Sequence, residues 1–406
     1  MMAKRLILAA AVASLAACGG GSDAGKGGKS APGVDPAAKT IAVGFLYDQS
    51  GPVAAIGRPY ADGLRLAYAE ANAEGLPEGW TLKTVERDHG YNPQRSVQMF
   101  NEIRDQVLFI GSSFGTPNTM PLRPLLERYD MMAFPASLSR QLQAHPNTPP
   151  PGASYYKETL RGIDFLVAQA GDPKNIKLGI VHQQDDYGQD GLDGAQFAAA
   201  EHGIEIVATE TYAPGQSDYT ALVSSLRRAG ATHVVLTTVP SATVPILGTA
   251  AQLDYTPVWM GNSPSWIDRF FDPSVVPSSV FANYYMVAGL AFWGDDTALF
   301  RRFDAARKKF AADATQDNYM LNSYLLGQLQ IEAVSRMIAA GDISRAGYRT
   351  ALQSITDFDA LGALPEPVNL STTPYTLGNQ TRVLQPDFAN RSWVVRADYA
   401  APTVAH

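Results

Sequence analysis

From position 40 onward, short apolar runs of β type alternate with amphipathic stretches at helical spacing, in two successive series. Such alternation implies βαβ units around parallel sheets, because parallel neighbours need a crossover long enough to carry the chain back to the same end of the sheet. In the first series, strands are expected at 41–47, 81–86, 107–110 and 131–134, with helices at 57–74, 93–104 and 121–128. Leu64, Ala67, Tyr68 and Ala71 mark the apolar face of the first helix. The Pro-rich run 145–152 can be neither helix nor central strand and marks the passage to the second series. There, strands at 177–181, 205–209, 233–236 and 257–260 alternate with helices at 188–201, 219–228 and 245–252. Two long helical patterns follow at 297–310 and 319–338, and short strands return from about 367. The fold class is α/β, with two doubly wound Rossmann-like lobes and a cleft between them.

Open α/β sheets bind ligands beyond the carboxyl ends of their strands. The polar loops at those ends are 49–51, which contains Ser50, then 111–119, 136–140, 183–188, 237–241 and 261–265. Facing lobes would line the cleft with them.

The N-terminus carries a separate message. Lys4 and Arg5 precede an apolar run, and Leu15-Ala16-Ala17-Cys18 is followed by Gly-rich sequence. This reads as a signal peptide (1–18) ending in a lipobox, with Cys18 as the lipid attachment point. The apolar stretch is short for a membrane span, which takes roughly 20 residues. Cys18 is the only cysteine, which leaves no disulfide framework, cysteine metal site or catalytic thiol. Residues 19–39, rich in Gly, Ser, Ala, Lys and Pro, are expected to be a flexible tether, with the fold starting near Thr40. At 406 residues and 46% hydrophobic, the chain is long enough for two domains with substantial cores. Its net charge of −7, without a Lys/Arg cluster, argues against a nucleic-acid partner. No later segment reads as a membrane span, so the membrane is met by the lipid anchor alone.

Several motifs, in order, carry a resemblance. They are Gly44-Phe45-Leu46 leading to Ser50-Gly51-Pro52, Gly57, Gly63, the run Ala67-Tyr68-Ala69-Glu70-Ala71-Asn72, Phe109-Ile110-Gly111-Ser112-Ser113, Pro135-Ala136-Ser137, and Asp185-Asp186-Tyr187-Gly188. From about 40 to 327 the chain resembles the substrate-binding proteins of branched-chain amino-acid ABC transporters, a type I periplasmic-binding fold. The resemblance implies three crossings between lobes, with lobe 1 at 40–157 plus 288–362 and lobe 2 at 158–287 plus 363–406. It also implies a small-molecule ligand trapped by hinge closure, a permease partner, no cofactor, a monomer, and placement in the cell envelope, in the periplasm or at the outer surface.

The family's amino-acid site maps onto this chain unevenly. Its carboxylate half falls at Gly115, Thr116, Ala136 and Leu138, where Leu138 replaces a hydroxyl residue and Ser137 and Ser139 flank it. Its ammonium half falls at Tyr187, Val239 and Ser263, where Val239 replaces an aromatic residue and Ser263 an acid; Ile56 stands where an aromatic residue is frequent. A buried amine needs a carboxylate or aromatic face, since an unpaired buried charge costs several kcal/mol. Asp268 is an outside candidate for the lost acid, the plainer reading being a solvated helix residue. The resemblance with these departures implies a ligand without a free α-amino group, an apolar or aromatic carboxylate or a neutral lipid-like molecule. An amino acid bound by the same kind of protein and a ligand-sensing receptor are the alternatives. Trp259, Trp266, Tyr284, Tyr285 and Trp293 are either core residues or an extension of the apolar wall.

Competing chemistry is thin. Gly111-Ser112-Ser113-Phe114-Gly115 fits G-x-S-x-G after a strand, the place of a nucleophile elbow, but after His233 no histidine follows until His406. His89 has no partners at metal-ligand spacing, and Asp185-Asp186 reads as a helix N-terminal turn rather than a cation loop. No enzyme activity and no metal are expected.

Overall fold

The computed structural model describes residues 30–149, 152–373, 375 and 378–404. Cys18, the signal peptide and most of the tether lie outside them.

The first series builds β1 (Val34–Asp35), β2 (Thr40–Tyr47), α1 (Ala54–Glu74), β3 (Thr81–Asp88), α2 (Pro93–Ile103), β4 (Phe109–Phe114), α3 (Thr116–Thr119), α4 (Arg123–Arg128), β5 (Ala133–Ala136) and α5 (Arg140–Gln143). Strand β2 pairs in parallel with β3 and β4, and β4 with β5, to form the first sheet. From Ile41 to Tyr47 every residue of β2 is buried, as a central strand covered on both faces must be.

The tether expectation is corrected at its C-terminal end. Val34 and Asp35 pair antiparallel with Ile41 and Thr40, and Val34 is buried in the first-lobe core. Gly33, with φ +77°, packs so tightly on Val107 and Leu108 that a Cβ would lie about 2.4 Å from the Leu108 nitrogen. The chain therefore joins the fold several residues before Thr40.

The second series contributes α6 (Tyr155–Ala170), β6 (Lys177–Gln183), α7 (Asp186–His202), β7 (Glu205–Tyr212), α8 (Thr220–Arg228), β8 (His233–Thr237), α9 (Pro240–Gln252), β9 (Val258–Gly261) and β10 (Tyr284–Ala288). Then come α10 (Ala298–Phe310), α11 (Asn318–Ala340) and α12 (Arg345–Gln353), followed by β11 (Thr381–Asp387) and β12 (Ser392–Ala400). The second sheet runs β12-β11-β10-β9-β8-β6-β7, parallel from β10 to β7 and antiparallel at β11 and β12. Helix α6 packs on α7, β10 and β11, so a lobe boundary at 157 would cut its first turn; Ser154, whose hydroxyl caps that turn at Lys157 N, is the natural break.

The chain crosses between the sheets three times: before α6, after β10, and between α12 and β11. Helix α11 returns to the first lobe and lies on α1. Their approach is close because Gly63 and Gly327 carry no side chain; a Cβ on Gly63 would stand about 2.0 Å from the Met320 carbonyl oxygen. Among the described residues no helix is long and apolar enough to cross a membrane.

Candidate functional site

Each sheet has one point where its strand order reverses, between β2 and β4 in the first and between β6 and β8 in the second. The loops leaving those four strands meet in one cavity. Val53 and Ile56 follow β2, Gly115 and Thr116 follow β4, Tyr187 follows β6 and Val239 follows β8. The space measures about 880 Å³ including its open mouth.

Local chemistry shapes these corners. Asp185 caps α7 by accepting from Gly188 N at 3.0 Å. Gly188 lies so close to the preceding strand that a Cβ would fall about 1.8 Å from Gln183 O, so only glycine permits this turn and delivers Tyr187 to the cavity. Asp185 and Asp186 thus serve the helix start. Gly115, with φ +88°, performs a similar turn out of β4.

Ala136, Ser137, Leu138 and Ser263 join Ile56, Gly115, Thr116, Tyr187 and Val239 on the wall. Two expected residues do not. Asp48 gathers the loop after β2 around its carboxylate, accepting from Gly51 N at 2.6 Å and Val53 N at 2.9 Å, and leaves Ser50 exposed on the outer side. Ser139 is buried at the start of α5, where its backbone N–H donates to Ser137 Oγ at 3.2 Å and its side chain stays off the wall.

Most of the remaining wall comes from the crossovers. Leu290 and Phe292 follow β10, Tyr155 stands on α6, and Tyr319 and Asn322 on α11. Tyr60, Tyr91 and Phe114 complete an apolar and aromatic lining. The tryptophans lie elsewhere: Trp266 packs among Phe271, Phe281 and Trp393 in the second lobe, and Trp293 against Phe300 and Phe303.

Two hydrogen-bonded polar pairs stand on the cavity wall. Thr116 Oγ1 and Ser137 Oγ are 2.7 Å apart on the first lobe. Opposite, Ser263 donates from N at 3.0 Å and Oγ at 3.1 Å to Oε2 of Glu158, in the first turn of α6. Glu158 has no exposure, and its Oε1 is buried without a partner. Burial raises its pKa to about 8 against the donors from Ser263, with nearby Asp190 adding to the rise.

The expectation of a closing lobe without an acid is therefore corrected: a carboxyl group reaches the Ser263 position from another element. Glu158 was not legible because the sequence reading placed no helix between the Pro-rich run and β6, and with α6 unread its first-turn acid had no position. The pairing of Tyr155 with a helical apolar face at Tyr156, Leu160 and Ile163 was the signal available for α6.

Asp268 is not a solvated helix residue. It is buried, accepts from Asn318 Nδ2 at 2.7 Å, and burial raises its pKa to about 8. It borders a smaller chamber of about 270 Å³ that shares Ser263, Phe292, Tyr319 and Asn322 with the main cavity.

The lobes are in contact around the cleft. Gln183 Nε2 donates to Tyr91 OH at 3.2 Å and Ser241 Oγ to Pro52 O at 3.1 Å. Arg140 Nε lies 3.0 Å from Asp190 Oδ1, and the same guanidinium meets Asp193. Tyr319 OH donates to Ser263 O at 3.0 Å and Trp266 O at 2.8 Å. This is a closed arrangement.

Two lobes closed over a cleft at both switch points is the geometry of a solute trap, and the model of the periplasmic binding protein family matches residues 40–387. The chain belongs to the periplasmic binding protein family. Leu/Ile/Val-binding protein homolog 7 of Brucella abortus (strain 2308) is 24% identical over 316 residues, covering 75% of this chain and 79% of the relative. A fatty acid ABC transporter substrate-binding protein from Thermomonospora curvata superposes with a TM-score of 0.86 at 23% identity, covering 92% and 95% of the two chains. A branched chain amino acid ABC transporter structure from Thermus thermophilus with bound valine gives 0.80 at 19%, covering 90% and 97%. These likenesses establish the fold. As a periplasmic binding protein the chain is extracytoplasmic and is a binder rather than an enzyme. The G-x-S-x-G run is not the loop expected from the sequence: its first four residues lie in strand β4, where Ser112 and Ser113 are buried and Ser113 Oγ is 2.7 Å from Thr119 Oγ1.

Proposed function

We propose that this protein, anchored in the cell envelope through a lipidated Cys18, captures a small apolar molecule lacking a free α-amino group between its lobes and delivers it to an ABC importer. The ligand class is an apolar or aromatic carboxylate, or a neutral lipid-like molecule. Ligand docks on the first lobe at Thr116, Ser137 and Leu138, and the second lobe closes with Tyr187, Val239 and Ser263. A ligand favours closure only by its differential affinity for the closed state.

The supporting observation is the wall itself. Ile56, Phe114, Leu138, Val239, Leu290 and Phe292 make the wall largely apolar, with hydrogen-bonded polar pairs at Thr116 and Glu158 and further polar groups on Asn322 and the tyrosines. Fatty-acid and branched-chain amino-acid binders share this fold, so the fold does not choose between them; the lining favours the former chemistry.

One observation favours a second reading. Glu158, if ionised, is a partner for an ammonium group, which would suit an amino acid. That reading requires a buried carboxyl to surrender its proton near neutrality.

A thermal-shift screen of the chain from Ser30 onward, against amino acids, aliphatic and aromatic carboxylates, amides and lipids, tests the proposal. Ligand at 100 times its Kd stabilises by about 2.7 kcal/mol. Stabilisation by amine-free molecules alone supports the proposal; stabilisation by leucine or valine alone overturns it.

A further inference from the structure

We infer that Glu158 is the ligand's polar anchor, acting as a protonated carboxyl whose free oxygen donates a hydrogen bond to an oxygen of the ligand's head group, so that the site takes an apolar carboxylate as an acid–carboxylate pair. The inference rests on the reading above that the ligand lacks an amine.

Three observations carry it. Glu158 lines the cavity yet has no exposure of its own in the closed state. Oε2 is already committed to two donors from Ser263, at 3.0 and 3.1 Å. Oε1 has no partner, although buried polar atoms are nearly always paired. A carboxyl with one oxygen saturated by donors keeps its proton on the other, where it is a donor seeking an acceptor.

The surroundings favour the neutral form. Facing Glu158 are Tyr155 on its own helix, Tyr187 and Asp190 on α7, Tyr284 on β10, and Tyr319 on α11 through Ser263. None is a cation. The arginines of the surrounding elements are engaged elsewhere: Arg140 with Asp190 and Asp193, Arg382 with Asp295, and Arg161 with Asp398 O. Burial holds the proton up to about pH 8. An ionised ligand head therefore meets a neutral donor rather than a second negative charge.

The experiment is isothermal titration of octanoate and 4-methylpentanoate, with leucine alongside, into wild type, Glu158→Gln and Glu158→Ala between pH 6 and 9.5. Thermal unfolding of each variant confirms that it is folded. The expected result for wild type is a steady Kd at low pH that rises above about pH 8, approaching tenfold per unit. Glu158→Gln, whose amide N–H replaces the acid proton, is expected within about threefold of wild type at pH 7 with a flat pH profile; Glu158→Ala is expected to lose tenfold or more, roughly one hydrogen bond to a charged group. Carboxylate binding insensitive to pH and to both substitutions overturns the anchor while leaving the amine-free ligand standing. Leucine binding that is abolished by Glu158→Gln and strengthens with pH overturns both. Failure of wild type to bind either carboxylate also overturns both.

Discussion

Ser263 directs both its backbone N–H and its hydroxyl at one oxygen of Glu158, from 105 positions away in sequence. That contact ties the loop after β9 to the first turn of α6.

Glu158→Gln should alter stability in a pH-dependent way. The folded pKa, about 8, lies above the reference value of 4.5, so the folded state binds the extra proton between those values. Glu158 therefore makes wild type lose stability as pH rises through that window, a contribution the variant lacks. The stability difference between variant and wild type should shift in favour of Glu158→Gln by about 2–4 kcal/mol from pH 4.5 to pH 8, and then level off. Urea unfolding across the pH range reads this directly; a constant difference contradicts a buried neutral Glu158.

Ser263→Glu should not convert the site to amino acids. It removes the hydroxyl donor and sets a second carboxylate beside Glu158, and two like charges in one site cannot both ionise. The expected outcome is a Tm lowered by several degrees at pH 7, about 1–3 kcal/mol, with no gain of leucine binding. Tight leucine binding in this variant would show that a missing acid had been the whole basis of specificity.

Tyr187 separates ring from hydroxyl. Its hydroxyl already bonds Thr238 O at 2.9 Å and Asn262 Oδ1 at 2.8 Å, and its ring meets Tyr155 edge-on at 4.8 Å. The residue lines the cavity while its hydroxyl holds the loops. Tyr187→Ala should weaken binding at least about tenfold. Tyr187→Phe should cost about 1 kcal/mol of stability with a much smaller change in Kd. Equal Kd for Ala and wild type removes Tyr187 from the site.

Arg140 links the lobes from outside the cavity wall. Its partner Asp190 is buried, so truncating Arg140 leaves a carboxylate enclosed in the closed form without its cation. Because Arg140 itself is partly exposed, the effect should be modest. Arg140→Ala is expected to raise Kd by about three- to tenfold and to shift the ligand-free protein toward a larger radius of gyration in solution scattering. An unchanged radius and Kd would show that the Arg140 pairs do not bias closure.

The two parallel series were legible because buried central strands are near-continuous apolar runs and their helices keep a clean period. Strands β2 and β6 and helices α2 and α10 fall within a few residues of expectation. Helix α9 starts at Pro240 rather than near 245 because Pro245 is accommodated inside it, and a proline normally read as a start concealed the earlier turn. Helix α6 escaped notice beside the Pro-rich run, and with it Glu158. The wall from Leu290, Phe292 and Tyr319 was not legible for a different reason: those residues sit on crossovers, and nothing in local periodicity says which side chains a closing hinge brings together. Ile56, Thr116, Ser137, Tyr187, Val239 and Ser263 were reachable through the strand ends and the family resemblance, since the switch points of an open sheet are set by topology.

The most direct test of the central claim is calorimetric titration of leucine and 4-methylpentanoate into wild type at pH 7, two molecules that share a branched carbon skeleton and differ at the α-amino group. The account predicts measurable binding of 4-methylpentanoate and none of leucine. Tight leucine binding with no response to the amine-free acid would contradict it.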